Sequence, residues 1–428
     1  MVLSSLGLLR SVLAAGIAVI GVTSLTASEK GTPMNYGEAI NFLAKYTKTI
    51  ELKGDNGARV AVTPEFQGRV MTSSCDGPGG ISFGFIKDDY IAEVAKNPEK
   101  LNKHFNNYGG EERLWLSPEG GPFSLWFKPG VEKQTLDDWF TPPAFNEGAW
   151  NVVHGENKAE VRMAAHMKLQ NTAGTDFNLD VIRAVHLLKD KDLAQLFGQD
   201  AAGKMTGKDV KIVAYETNNQ LTNRGPAMTK EKGLVSMWIL GMINSGPETV
   251  IVVPYKQGSE ADLGYVVKSD YFPPAPGPDR LKITPAAVLF RADANYRSKI
   301  GVPQKRAKNV LGSIDYKNNV LTLVSFNMPA DPAQELYMNN AWVLPQPQPY
   351  VGDVVNSYND GPQNGKPGFG PFYEIESLSP AKELKTGEAM THLHRTIHIQ
   401  GDPALLAQLA KEILGVEWND VRKEMLAK

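Results

Sequence analysis

Apolar and polar residues alternate with a period of two along much of the chain, a pattern typical of half-buried β-strands. Two such runs, at residues 49–52 and 59–63, flank Asn56-Gly57. Asn-Gly between two β-rich runs predicts a hairpin, because both residue types tolerate positive φ. Further strands are predicted at residues 210–215, 235–242, 249–255, 287–292, 320–326, 351–358, 372–378 and 391–400.

The strands predicted at residues 372–378 and 391–400 are joined by a short connection, so we expect them to pair. Helical spacing is confined to a few segments, of which residues 36–46 and the interrupted stretch 88–105 are the first. The last is a C-terminal helix that begins after Asp402, ends at Gly415 and contains a periodic apolar face.

Strands spread over most of the chain predict an all-β fold, a large sandwich with a few peripheral helices and a C-terminal helix. Neither an internal repeat nor a clear interdomain linker interrupts the pattern. This favours a single domain over residues 29–428, although a chain of about 400 residues could also form two domains.

The N-terminus is typical of a secretory signal. Arg10 is the only charged residue before Glu29, and residues 11–22 are small and apolar. We therefore predict that residues 1–28 are a cleaved signal peptide. The alternative is an uncleaved membrane anchor. The expected location is periplasmic or secreted, with no stable membrane span after cleavage.

Charge and cysteine content narrow the possible partners. The chain has 47 acidic and 45 basic residues and no basic run, which argues against nucleic acid as a partner. Cys75 is the single cysteine, so no intrachain disulfide can form, and a buried structural role is expected for it. Without a glycine-rich phosphate loop, a nucleotide fingerprint or a serine-nucleophile elbow, no cofactor is expected.

Three stretches carry a resemblance to a known family. The segment Gln67-Gly68-Arg69-Val70, after the predicted hairpin, resembles the opening strands of aldose 1-epimerases. Residues 109–119 read GGEERLWLSPE and resemble an element of uncharacterised secreted relatives of these enzymes. Residues 373–388 resemble the C-terminal epimerase strand with its catalytic glutamate. The chain thus resembles the aldose 1-epimerase (galactose mutarotase-like) superfamily.

The resemblance implies a β-supersandwich with a sugar-sized cleft. It implies that Glu376 is the catalytic base and that Arg113 binds the sugar. One position departs from the pattern: Arg224 follows Leu-Thr-Asn, at the place where epimerases have the histidine that acts as general acid. A guanidinium stays protonated at any working pH and cannot act as that acid.

Other residues add candidate chemistry. Glu374 and Glu376 alternate on one strand, so their carboxylates share a face, either in a cleft or exposed to solvent. Trp115 belongs to a tryptophan cluster that could stack on a sugar or fill the core. Glu119 and Asp360 are candidate contacts for sugar hydroxyls, and Asp360 could instead form a turn.

Three histidines, His392, His394 and His398, share one face of a predicted strand. A His-x-His pair can bind zinc, but no further ligand is evident, so we expect no metal site. The alternatives are a surface row of imidazoles, or that His394 supplies the acid that Arg224 cannot.

Together these features predict an exported carbohydrate-binding or carbohydrate-active protein, similar to an aldose 1-epimerase, with a sugar or glycan as ligand. Two alternatives remain open. One is a glycan lyase or glycoside hydrolase that uses Glu119, Asp360 and Glu376. The other is a sugar-binding module without catalysis.

Overall fold

The computed structural model describes residues 33–157, 159–363 and 365–427, so the predicted signal peptide lies outside the described residues. Within this part of the chain the strands are β1 (Ile50–Lys53), β2 (Arg59–Thr63), β3 (Arg69–Ser74), β4 (Arg113–Ser117), β5 (Asn151–Asn157), β6 (Glu160–Gln170), β7 (Asp176–Leu187), β8 (Val210–Asn223), β9 (Ser236–Asn244), β10 (Thr249–Pro254), β11 (Leu281–Ile283), β12 (Ala287–Arg291), β13 (Ser298–Pro303), β14 (Val310–Asp315), β15 (Val320–Phe326), β16 (Asp353–Asn359), β17 (Phe372–Leu378) and β18 (Ala389–Gly401). The α-helices of the same part are α1 (Tyr36–Leu43), α2 (Asp88–Lys96), α3 (Pro143–Asn146), α4 (Asp190–Phe197), α5 (Gln199–Met205), α6 (Glu260–Leu263), α7 (Pro403–Leu409) and α8 (Trp418–Leu426).

The strands form three antiparallel sheets. The small sheet has the order β1-β2-β3, and the five-stranded sheet has the order β13-β16-β17-β9-β4. The ten-stranded sheet has the order β11-β12-β10-β14-β15-β18-β8-β7-β6-β5. The predicted all-β fold class, with peripheral helices and a C-terminal helix, is confirmed. No helix among the described residues is both long and apolar enough to cross a membrane.

Local signals in the sequence placed several elements correctly. The predicted strands at residues 320–326 and 372–378 match β15 and β17. The predicted hairpin joins β1 and β2, with Lys53 opposite Arg59. Asn56 and Gly57 adopt φ of 53° and 92° in its turn, so the turn requires two residues that tolerate positive φ, as the Asn-Gly pair predicts.

The prediction that residues 372–378 and 391–400 pair is wrong. β17 pairs with β16 and β9, whereas β18 pairs with β15 and β8 in the other large sheet. The two strands instead face each other across the core, where the Ser377 hydroxyl lies 2.8 Å from a ring nitrogen of His392 and of His394. Their connection crosses from one sheet to the other, so the two strands are in contact through side chains and not through main-chain hydrogen bonds.

Helices α4 and α5 are not predicted by the sequence pattern. They contain eight and seven residues and are interrupted by Gly198, so the segment as a whole has no continuous periodic apolar signal. With α7 and α8 they cover one face of the ten-stranded sheet, where Ile397 and Ile399 pack in one cluster with Leu406. Burying each such side chain contributes about 1.5–3 kcal/mol.

The five-stranded sheet separates the core from a cavity. Along β17, Ser377 points to the ten-stranded sheet, so the alternating Glu374 and Glu376 point the other way. On that face Glu374 lies opposite Tyr358 of β16, and Tyr358 lies opposite Lys299 of β13. Strand register therefore brings an acid, a phenol and an ammonium into one row.

Candidate functional site

A cavity of about 370 Å³ has this face of the five-stranded sheet as its floor. That volume falls within the range of small-molecule pockets. Loops that include residues 136–139, 268–272 and 340–343 form its walls. The floor consists of Arg113, Trp115, Trp238, Leu240, Lys299, Tyr358, Phe372 and Glu374.

Arg113 and Glu374 are in direct contact on the floor of the cavity, where Arg113 Nη2 donates a hydrogen bond to Glu374 Oε1 and both side chains are buried. They lie on β4 and β17, which are both neighbours of β9. Burial raises the pKa of Glu374 to about 8, because Arg113 offsets only part of the cost and Glu376 repels a second negative charge. Glu374 can therefore exchange a proton near neutral pH.

Glu376 lies beside the cavity but does not line it. Its side chain is fully buried, and its Oε2 accepts a hydrogen bond of 2.7 Å from Trp238 Nε1. Lys299 Nζ lies 3.7 Å from the same oxygen. Among the described residues, Oε1 has no hydrogen-bond partner. Glu376 thus holds Trp238 and Lys299 of the floor in place, and it is more deeply buried than Glu374.

Glu119 is a second carboxyl group in the cavity wall, and Trp139 Nε1 donates a 3.1 Å hydrogen bond to its Oε1. Burial raises its pKa, an effect that Lys299 opposes. Burial alone would lower the pKa of Lys299, but the nearby Glu376 and Glu119 more than reverse this. Lys299 therefore stays charged and can donate hydrogen bonds to a ligand.

Aromatic rings dominate the remaining surface. Trp115, Trp139, Trp238 and Trp342 all line the cavity. Trp139 and Trp342 stack with ring centroids 6.3 Å apart and an interplanar angle of 24°. Flat apolar rings beside hydrogen-bonding groups suit a sugar, which presents C–H faces and hydroxyl edges.

Asp360 lies behind the cavity surface, fully buried. Its Oδ1 accepts a 2.6 Å hydrogen bond from the Tyr358 hydroxyl, and its Oδ2 accepts one of 2.8 Å from Gly370 N–H. Asp360 therefore positions Tyr358 and the following loop, which corresponds to the turn-forming alternative more closely than to a sugar contact.

His394 is on the opposite side of the five-stranded sheet from the cavity. It is buried against Ser377, as is His392. Burial lowers the pKa of His394 well below its ordinary value, and His392 lowers it further. The histidine row is therefore an internal one rather than a surface row, and its position does not suit a proton donor to a sugar in the cavity.

Arg224 is half exposed and pairs with Asp180 at 2.6 Å, outside the cavity. No histidine is found among the described residues that line the cavity. The described part of the chain also has no group of three or more histidine, cysteine, aspartate or glutamate side chains arranged to hold a metal ion. The absence of a metal site remains a prediction.

A family model described as a family of unknown function (DUF6786) matches residues 34–425, nearly the whole described chain. The chain belongs to this family. No curated protein matches the chain significantly.

Solved structures similar to this member of the family include two named as putative sugar epimerases. A putative aldose 1-epimerase from Escherichia coli has 11% identity and a TM-score of 0.44, covering 83% of this chain and 100% of its own. A putative mutarotase from Salmonella typhimurium has 10% identity and a TM-score of 0.45, covering 85% and 100%. A galactose mutarotase-like protein from Lactobacillus casei has 8% identity and a TM-score of 0.42, covering 82% and 100%.

The structure brings Arg113, Trp115, Glu119 and Glu374 together and adds residues that the sequence pattern missed. Arg297 immediately precedes β13 and Lys299 is its second residue, and both line the cavity. An Arg-x-Lys pair at a strand start is common on protein surfaces, so the sequence alone offers no signal that it is enclosed.

Proposed function

We propose that this protein binds a sugar in the cavity and transfers protons at the anomeric centre, the reaction type of an aldose 1-epimerase. One observation carries the proposal: two carboxyl groups with raised pKa, Glu374 and Glu119, line a sugar-sized cavity together with four tryptophans. Mutarotation needs an acid for the ring oxygen and a base for the anomeric hydroxyl, and both work best with pKa values near neutrality.

Glu374 is suited to be the acid at pH 7, since a pKa of about 8 leaves it mostly protonated. It can donate this proton to the ring oxygen while Glu119 in its ionised form accepts the anomeric proton. Arg113 orients the carboxyl group and stabilises the negative charge that remains. After ring opening and rotation, the two groups exchange roles to close the ring.

In this reaction the central role belongs to Glu374 rather than to Glu376, the residue that the family resemblance implies. Both residues share a strand face, but Glu374 reaches the cavity whereas Glu376 is enclosed beside it. Cleavage of a glycosidic bond by a hydrolase or lyase would use the same pair of carboxyl groups, and the products formed distinguish these reactions.

A second candidate is a sugar-binding module without turnover. The observation that favours it is the lack of a histidine among the described residues of the cavity. The acid histidine of aldose 1-epimerases thus has no counterpart there. The same aromatic and charged walls would then provide affinity alone.

Export through the segment at residues 1–28 is a further part of the proposal. It is supported by Arg10 and the apolar residues that follow it. In that location the protein would meet sugars and glycans outside the cytoplasm.

The test combines a glycan array with nuclear magnetic resonance of every sugar that binds, to measure anomer exchange and to identify products. We expect Glu374→Gln to keep binding within about threefold and to reduce turnover by about 10² or more. Glu99→Gln, at an exposed site outside the cavity, is the matched control. Binding without turnover in the wild-type protein would select the binding module, and no binding of any sugar would reject the proposal.

A further inference from the structure

The guanidinium of Arg297 differs from the other cations of the cavity. Among the described residues, no carboxylate forms an ion pair with it, and its buried Nε has no hydrogen-bond partner. The other three cations of the cavity each have a carboxylate partner: Arg113 with Glu374, Lys268 with Asp270 at 2.7 Å, and Lys299 with Glu376 at 3.7 Å.

Aromatic rings hold Arg297 in place. Its guanidinium carbon lies 4.7 Å from the ring centre of Phe272 and 4.9 Å from that of Phe369, with Tyr358 at 5.9 Å. Stacking on ring faces leaves the N–H groups at the edge of the guanidinium free for a ligand. A planar group fixed in this way binds with little further loss of conformational entropy.

The carboxyl groups near Arg297 are engaged elsewhere. Glu119 accepts a hydrogen bond from Trp139, and Asp360 is occupied by Tyr358 and a main-chain N–H group. Arg297 lowers the pKa of both carboxyl groups, yet burial has the larger effect and raises each pKa overall. Among the described residues, neither carboxyl group is close enough to Arg297 to form an ion pair with it, so the guanidinium is available to an external anion.

We propose that Arg297 binds a single negative charge on the sugar, so that the ligand is an acidic sugar with a carboxylate or a sulfate ester. This inference rests on the proposed binding of a sugar in the same cavity. Arg297 itself supplies one positive charge that no carboxylate among the described residues pairs with, and one such charge matches a monoanion better than a doubly charged phosphate. The planar fork also fits two oxygens of one carboxylate or sulfate.

The test is isothermal titration calorimetry of the full-chain protein with matched ligands. D-glucuronate and D-galacturonate are compared with their uncharged methyl esters, and D-glucose 6-sulfate with D-glucose and D-glucose 6-phosphate. We expect at least one monoanion to bind about tenfold or more tighter than its uncharged partner. Preference for uronates identifies the carboxylate, and preference for the sulfate ester identifies the sulfate.

Arg297→Met should abolish this preference and leave the affinity for the uncharged partner within about twofold. Arg297→Lys, which retains the charge without the fork, should retain part of the preference and serves if the Met variant does not fold. Arg162→Met removes a positive charge at an exposed site on β6, outside the cavity, and should retain all of it.

Two results would overturn the inference while sugar binding stands. One is equal affinity of the wild-type protein for charged and uncharged partners, or tighter binding of the phosphate. The other is an equal loss of affinity for both partners in Arg297→Met. If no sugar of the panel binds, the proposed function fails together with the inference.

Discussion

Glu374 and Glu376 project from the same face of one strand, yet their surroundings differ. Glu374 borders the cavity and accepts a hydrogen bond from Arg113, whereas Glu376 is enclosed by Trp238 and Lys299. A carboxyl group that borders a cavity can exchange protons with a ligand, and an enclosed one serves to position its neighbours. The difference between the two residues arises from burial, since their chemistry is the same.

The titration of Glu374 can be measured without knowing the substrate. Carbon-13 resonance of labelled glutamate carboxyl groups should show one that titrates near pH 8 and is missing in Glu374→Gln. The folded-state pKa lies above the ordinary value of 4.5, so the protonated form contributes stability that is complete below pH 4.5 and is lost as the pH rises to about 8. The melting temperature of the wild-type protein should therefore fall relative to Glu374→Gln across this interval. A Glu374 resonance that titrates near 4.5 would contradict the prediction.

At the scale of elements, β17 contributes both to the cavity and to the core, because its successive side chains point to opposite faces of the sheet. One face contributes to the cavity, and the other places Ser377 between two buried imidazoles of β18. The hydroxyl can donate to one ring and accept from the other, so a single serine provides a partner for one ring nitrogen of each histidine. Burial lowers the pKa of His392 to about 3, which keeps this contact uncharged.

Ser377→Ala tests whether these histidines are structural. The change leaves ring nitrogens of His392 and His394 without a partner and should lower the free energy of unfolding by about 1–3 kcal/mol, measured by urea denaturation. Sugar affinity should stay within about twofold, because the five-stranded sheet separates Ser377 from the cavity. Thr391→Ala, at an exposed position on β18, the strand that carries both histidines, is the control and should change stability by less than about 0.5 kcal/mol. Unchanged stability with weaker sugar binding would instead connect the histidines to the cavity.

A buried ion pair attaches β7 to the segment that leads into β4. Arg183 Nη2 lies 2.9 Å from Glu112 Oε1, and both side chains are fully buried. Arg183→Met should cost about 3–5 kcal/mol, because it leaves Glu112 buried without a compensating charge. The double variant Glu112→Gln/Arg183→Met should recover part of this loss. If the double variant is no more stable than Arg183→Met alone, the unpaired charge of Glu112 is not the cause of the lost stability.

At the scale of the whole molecule, the order of the layers determines which sheet faces are covered and which can border a cavity. The ten-stranded sheet packs against helices on one face and against the five-stranded sheet on the other. The outer face of the five-stranded sheet is covered mainly by loops, together with the short helix α3, whose Phe145 stacks on Trp115, and these leave a cavity. The cavity, and with it the candidate site, is thus located where the sandwich lacks a further complete layer.

The predicted signal peptide determines where the protein as a whole is located. We expect mass spectrometry of the protein from its native host to show an N-terminus near Glu29 in material from outside the cytoplasm. Ile17→Glu places a charge in the apolar segment and should retain the precursor inside the cell. An intact segment 1–28 on soluble cytoplasmic wild-type protein would reject the signal peptide.

The sequence by itself determined features that depend on near neighbours. The Asn56-Gly57 turn, the bounds of β17 and the shared face of Glu374 and Glu376 follow from turn chemistry and from the period of two. Burial of Cys75 was predictable from residue type, and the structure confirms it.

Only the tertiary structure decided which partner each face meets. Alternation shows that His392 and His394 share a face, but not that this face is turned away from the cavity. In the same way, Arg113 meets Glu374, and Arg297 meets aromatic rings without a carboxylate, because strands distant in sequence become neighbours in one sheet. The physical reason is that local patterns specify the direction of a side chain, whereas its charge state and partners depend on burial by distant segments.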